Sequence, residues 1–96
     1  MKNKSIMREY LDGTKSWVLG EQYHREDGPA IEWLNGAGEW YFKGKLHREG
    51  GPATYGTGVE KGWWLNGVKY SFEEYISELE RRGLQDKVVD SLFHMV

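Results

Sequence analysis

The chain has 96 residues, which suits one domain whose modest core buries roughly two thirds of the unfolded surface and leaves no room for large enzymatic machinery. Its 13 Lys and Arg stand against 15 Asp and Glu, so it has neither the basic excess of a nucleic-acid binder nor the acidity of a DNA mimic, and its lack of cysteine excludes disulfides and thiolate metal sites. The 13 glycines and the 15% aromatic content, including five tryptophans, point to short twisted strands joined by tight turns.

Residues 1–5 lead into no apolar run of signal-peptide length, and no stretch approaches the ~20 apolar residues of a spanning helix, so the expectation is a soluble, unexported, cytoplasmic protein. Arg8–Leu11 and Lys15–Leu19 read as strands around an Asp12-Gly13 turn. His24-Arg25-Glu26-Asp27-Gly28-Pro29-Ala30 follows, and returns 23 residues later as His47-Arg48-Glu49-Gly50-Gly51-Pro52-Ala53. A fixed period of this size marks a repeat architecture. Between the copies, Ala30–Leu34 and Glu39–Phe42 read as a hairpin about an Asn35-Gly36 two-residue turn, with Lys43-Gly44 as the next turn. In the third copy Gly56-Thr57-Gly58 precedes Trp63–Leu65, and Asn66-Gly67 closes the pattern.

The pattern then changes. Tyr70 stands where histidine recurs, and Ser71 with Glu74 forms a capping box that starts a helix over 72–82. Gly83 suits its C-terminal cap, and Leu84, Val88, Val89, Leu92, Phe93 and Val96 suggest a second short helix. The expected fold is mainly β within an α+β class. It is an antiparallel β-hairpin repeat array of about three 23-residue units at 8–70, capped by one or two C-terminal helices at 71–96, all in a single domain 1–96.

The duplicated loop could look catalytic, with an imidazole base beside a guanidinium clamp. Its duplication favours a structural role: His24, Gly28, Pro29, His47, Gly51 and Pro52 turn the chain between hairpins, the histidines giving a ring hydrogen to loop backbone or packing on tryptophan, and each glycine tolerating an unusual backbone before proline. One histidine per repeat offers no close ligand set, so no metal is expected, and neither a cofactor nor a catalytic residue is assigned. The glycine pairs at 36–38 and 56–58 lack the phosphate-loop continuation.

The period also carries Trp17 onto Trp40 and Trp63, and strand alternation sets these tryptophans on one face, with Val18, Tyr41 and Trp64 on the other. Both faces are apolar, so the helices either cover the second face, the better supported arrangement, or leave it to a partner. Tyr41, Trp64 and Val18, with Glu74 and Glu78 on the acidic helix, are the expected partner-binding residues.

Trp40, Gly44, Lys45, the two His-Arg-Glu loops and Trp63–Val68 together resemble the repeat of small tailed-bacteriophage and bacterial proteins, similar in style to the MORN repeat, over residues 8–70. The displaced turn glycine at Gly20-Glu21 and Gly50 in place of aspartate depart from it. The resemblance implies a scaffold or contact surface with no shared activity. For a phage-type accessory protein it implies binding and inhibition of a host protein, such as a defence nuclease of the CRISPR class. Stacking of Trp40, Trp63 and Trp64 on glycans or nucleotides is the alternative, with a virion-associated structural role behind it. Dispersed basic residues argue against membrane association, and exposed hairpin edges with the apolar end Leu92–Val96 make a homodimer as compatible with the sequence as a monomer.

Overall fold

The computed structural model describes residues 4–95. Antiparallel strands fill the first three quarters: β1 (Ile6–Glu9), β2 (Lys15–Leu19), β3 (Gln22–Tyr23), β4 (Ile31–Glu32), β5 (Gly38–Glu39), β6 (Tyr41–Phe42), β7 (Lys45–Leu46), β8 (Thr54–Gly56), β9 (Val59–Leu65) and β10 (Val68–Tyr70). Helices α1 (Phe72–Arg81) and α2 (Gln85–Leu92) follow. One sheet runs β1-β2-β4-β5-β8-β9-β10 with β3 added on β2, while β6 and β7 form a separate hairpin. Backbone bonds from Arg25 to Tyr41 and from Gly44 to Tyr23 tie that hairpin to the β3 segment, and bonds from Arg48 to Trp64 and from Gly67 to Leu46 tie it to the third hairpin, β9–β10.

The sequence period has a counterpart in the bonding. Trp17 N–H donates to the Ala30 carbonyl and Trp40 N–H to that of Ala53, while Ala30 and Ala53 donate to Glu39 and Gly62, each pair 23 residues apart. Both alanines are fully buried, where a larger side chain has no space. Lys43-Gly44 and Asn66-Gly67 turn with φ near +50° and +82°, the mirror-image conformation that suits the strand twist. Asn35-Gly36 behaves otherwise. Trp33 N–H reaches the Ala37 carbonyl and the Asn35 side chain accepts from Ala37 N–H, so the turn is wider and β4 is shorter than the apolar run suggests. Asp12 holds the equivalent turn through Thr14, which draws Tyr10 and Leu11 out of the strand expected there.

Ser71 and Glu74 form the reciprocal cap that opens α1, at 3.1 and 3.0 Å. Gly83, with φ +76°, follows the C-cap Arg82. The core is one cluster of Trp63, Leu65, Tyr75, Leu79 and Val88, with Tyr70, Phe72, Ile76 and Leu84 packed around it. Each fully buried Leu or aromatic there contributes about 1.5–3 kcal/mol. Phe72 and Tyr75 lie 4.7 and 5.2 Å from Trp63, ring centre to ring centre. The helices therefore cover the Trp63/Leu65 side of the sheet, and Val18, Tyr41 and Trp64 lie outside that core. Of the apolar stripe expected on α2, Leu84 and Val88 pack inward, whereas Val89, Leu92 and Phe93 are exposed; Val96 lies outside the described residues. Among the described residues no helix is long and apolar enough to cross a membrane.

Candidate binding cleft

Each His-Arg-Glu loop is built on its histidine. Lys43 N–H donates to His24 Nδ1 and Asn66 N–H to His47 Nδ1, both at 2.9 Å. The donors are, among the described residues, the two non-glycine residues with positive φ, so each imidazole braces the next hairpin turn. An accepting Nδ1 places the ring proton on Nε2, which faces Glu26 at 3.6 Å from His24 and Glu49 at 3.5 Å from His47. His24 is almost wholly buried beside Phe42, 4.6 Å away. Burial lowers the pKa of His47, with Glu49 opposing the shift.

The arginines lie flat on the tryptophans. The Arg25 guanidinium sits 3.8 Å from the Trp17 ring centre and that of Arg48 sits 4.0 Å from Trp40. Each donates through Nη1 to its loop proline carbonyl, Pro29 at 3.0 Å and Pro52 at 3.1 Å. This explains the glycine before each proline: a Cβ on Gly28 or Gly51 would come within 2.6 or 2.8 Å of the guanidinium carbon. Close approach, not unusual backbone, requires glycine there.

The copies differ in what neutralises the arginine. Arg25 pairs with Asp27 at 3.2 Å and Glu32 at 3.1 Å. The positions 23 residues on are Gly50 and Tyr55, and among the described residues no carboxylate forms an ion pair with Arg48. Burial lowers the Arg48 pKa from its ordinary value. The Tyr75 hydroxyl fixes this loop from below by donating to the carbonyls of Arg48 and Gly51.

These parts enclose a cleft of about 830 Å³. Trp40 and Phe42 form its floor, the Arg25–Asp27 segment one wall, and Arg82, Lys87, Asp90, Phe93 and His94 the other. Phe93 is 76% exposed and Phe42 37%. No family model, curated protein or solved structure matches the chain. The cleft must therefore be read from its own chemistry. Among the described residues no three His, Asp or Glu stand where they could hold a metal ion.

The residues expected to bind a partner fall in two places. Val18 on β2, Tyr41 on the separate β6–β7 hairpin and Trp64 on β9 are half-buried and outside the core cluster beneath the helices. Tyr23 packs 5.4 Å from Tyr41, and the Tyr41 hydroxyl donates to Glu39 at 3.0 Å. Burial, reinforced by Glu39, pushes the Tyr41 phenol up to about 12. Glu74 and Glu78 are on α1, where Glu74 caps the helix and Glu78 receives Arg81 and Arg82. Sequence reasoning missed the cleft wall on α2 and the floor at Trp40. The readable signal was the loss of both carboxylates between the copies, Asp27 to Gly50 and Glu32 to Tyr55.

Proposed function

We propose that this chain is a non-catalytic protein-binding module, an array of three 23-residue hairpin units ended by a helical cap. Support for the array is the recurrence of loop hydrogen bonds and arginine stacking at that spacing. The observation that carries the binding reading is that the cap stops at Trp63. Trp40, with Arg48 stacked on it, and Phe42 line a cleft beside the helices, and Val18, Tyr41 and Trp64 lie outside the core that the helices cover. Open aromatic surface on a small domain marks an interaction site. The histidines favour binding over catalysis, because the nitrogen that would act as a base already accepts a backbone N–H.

The resemblance to small phage and bacterial repeat proteins extends the proposal to a host protein met in the cytoplasm, a defence nuclease among them, which the module binds and inhibits. Capture of partners from a bacterial host lysate tests this, with Tyr41→Ala/Trp64→Ala and Phe93→Ala run beside the unaltered protein. Loss of one stoichiometric partner in a still-folded variant identifies the face, and no specific partner refutes the reading. A second reading rests on the size of the cleft, which falls within the roughly 300–1,000 Å³ of small-molecule sites. A saturable change in tryptophan fluorescence with oligosaccharides or nucleotides would favour it.

A further inference from the structure

The two loops are near copies in conformation and unlike in charge. Arg25 and Arg48 stack on tryptophan at 3.8 and 4.0 Å and bond their proline carbonyls at 3.0 and 3.1 Å, so their guanidinium groups are presented in the same way. In the first loop Asp27 lies 3.2 Å from Arg25 Nε and Glu32 3.1 Å from Nη1. In the second loop glycine and tyrosine replace both acids, and the arginine opens on the cleft. The other acids there do not substitute: Glu49 faces His47, and Asp90 forms no ion pair with Arg48. A half-buried guanidinium without a counter-ion is an unmet charge, and a planar carboxylate is the group its fork fits best.

We propose that Arg48 is a carboxylate-recognition subsite, which receives an aspartate side chain from an acidic segment of the partner protein where Asp27 meets Arg25 in the first loop. Trp40 holds the guanidinium flat, and Phe42 and Phe93 supply apolar contact for the residues beside that aspartate. A Cβ at Gly50 would fit in ordinary van der Waals contact with α2, meeting Asp90 Cβ at 3.4 Å, Asp90 Oδ2 at 3.6 Å and Lys87 Cδ at 3.9 Å. The assignment rests on the protein-binding reading above, and supplies the chemistry by which the partner is selected.

The test follows the side-chain Nε–H resonances of Arg48 and Arg25 by NMR at fixed ionic strength, during titration with N-acetyl-aspartyl-phenylalanine amide, its asparaginyl counterpart, or succinate. The aspartyl peptide is expected to move the Arg48 signal saturably and leave Arg25, which Asp27 already holds, in place. A charge-assisted hydrogen bond is worth about tenfold or more in affinity, so the asparaginyl peptide binds weaker by at least that factor. Gly50→Asp restores the first loop's sequence and is expected to abolish the shift in a folded protein. Equal binding of the two peptides, an equal response at Arg25, or unchanged binding by folded Gly50→Asp would overturn the proposal. Succinate binding as tightly as the aspartyl peptide overturns the partner assignment in favour of free carboxylates. A partner that Gly50→Asp still captures sinks the subsite and leaves the binding module standing, whereas capture of nothing by the unaltered protein removes the module.

Discussion

Leu65→Ala measures how much of the stability lies beneath the cap. Leu65, the last residue of β9, is fully buried among Trp63, Tyr75, Leu79 and Val88 beneath the two helices. Truncating a buried leucine costs about 2–5 kcal/mol, through lost transfer energy and the cavity left behind. A domain of this length has about 5–15 kcal/mol in all. A loss of about 3 kcal/mol lowers Tm by about 12–24 °C, at about 4–8 °C per kcal/mol. Leu11→Ala is the matched control, since Leu11 is fully exposed and the same truncation should stay within about 0.5 kcal/mol. Phe42 stands 23 residues before Leu65 and is 37% exposed, so Phe42→Ala falls between, at about 1–2 kcal/mol. Urea unfolding followed by tryptophan fluorescence ranks the three. Loss of less than about 1 kcal/mol in Leu65→Ala, or equal losses in Leu65→Ala and Phe42→Ala, would refute a core concentrated at the third hairpin.

Further outcomes follow from the same contacts. Ser71→Ala removes the hydroxyl that accepts from Glu74 N–H and should cost about 1 kcal/mol by the same unfolding assay. The pKa values of His47 and His94 are lowered mainly by burial, so below about pH 6.5 the unfolded chain takes up protons that the fold refuses; stability, flat above that pH, should decline as pH falls, and less so in His47→Gln. Glu78 is held down to about 2 by Arg81 and Arg82, so its contribution is lost separately, as pH falls from its ordinary 4.5 through about 2. Alkaline titration by phenolate absorbance should show Tyr41 ionising only near about 12, with burial also raising Tyr75, and Tyr41→Phe should remove one phenol from the late-ionising set.

The local rules were legible in the sequence because they act over short distances. The capping box, the Gly44 and Gly67 turns and the buried Ala30 and Ala53 follow from residue types at fixed offsets. The Asn35-Gly36 turn was misjudged because the Asn35 side chain competes for the Ala37 N–H and opens the loop. Which side the helices cover was not legible, since alternation places apolar residues on both sides of β9 and only tertiary packing separates Trp63 from Trp64. The cleft is harder still to read, because it needs the 47–52 loop and α2 to meet, residues some 40 positions apart in the chain.

The way the sheet ends explains why the cleft occurs once. Trp17 is covered by Arg25 and Trp40 by Arg48, but the position 23 residues after Arg48 is Ser71, and Phe72 and Tyr75 lie over Trp63 instead. Replacing a stacked cation by aromatic rings closes the third tryptophan into the core. At the first, Asp27 and Glu32 neutralise the arginine in place. At Trp40 the stacked cation has, among the described residues, no carboxylate partner, and it borders the cleft that Phe42 and Phe93 also line. The two His-Arg-Glu loops are thus alike in hydrogen bonding and unlike in charge, and the carboxylate subsite should bind with a stoichiometry of one per chain. Calorimetric titration with the aspartyl peptide that returned two equivalent sites would place Arg25 and Arg48 on the same footing and remove the basis for assigning the subsite to Arg48.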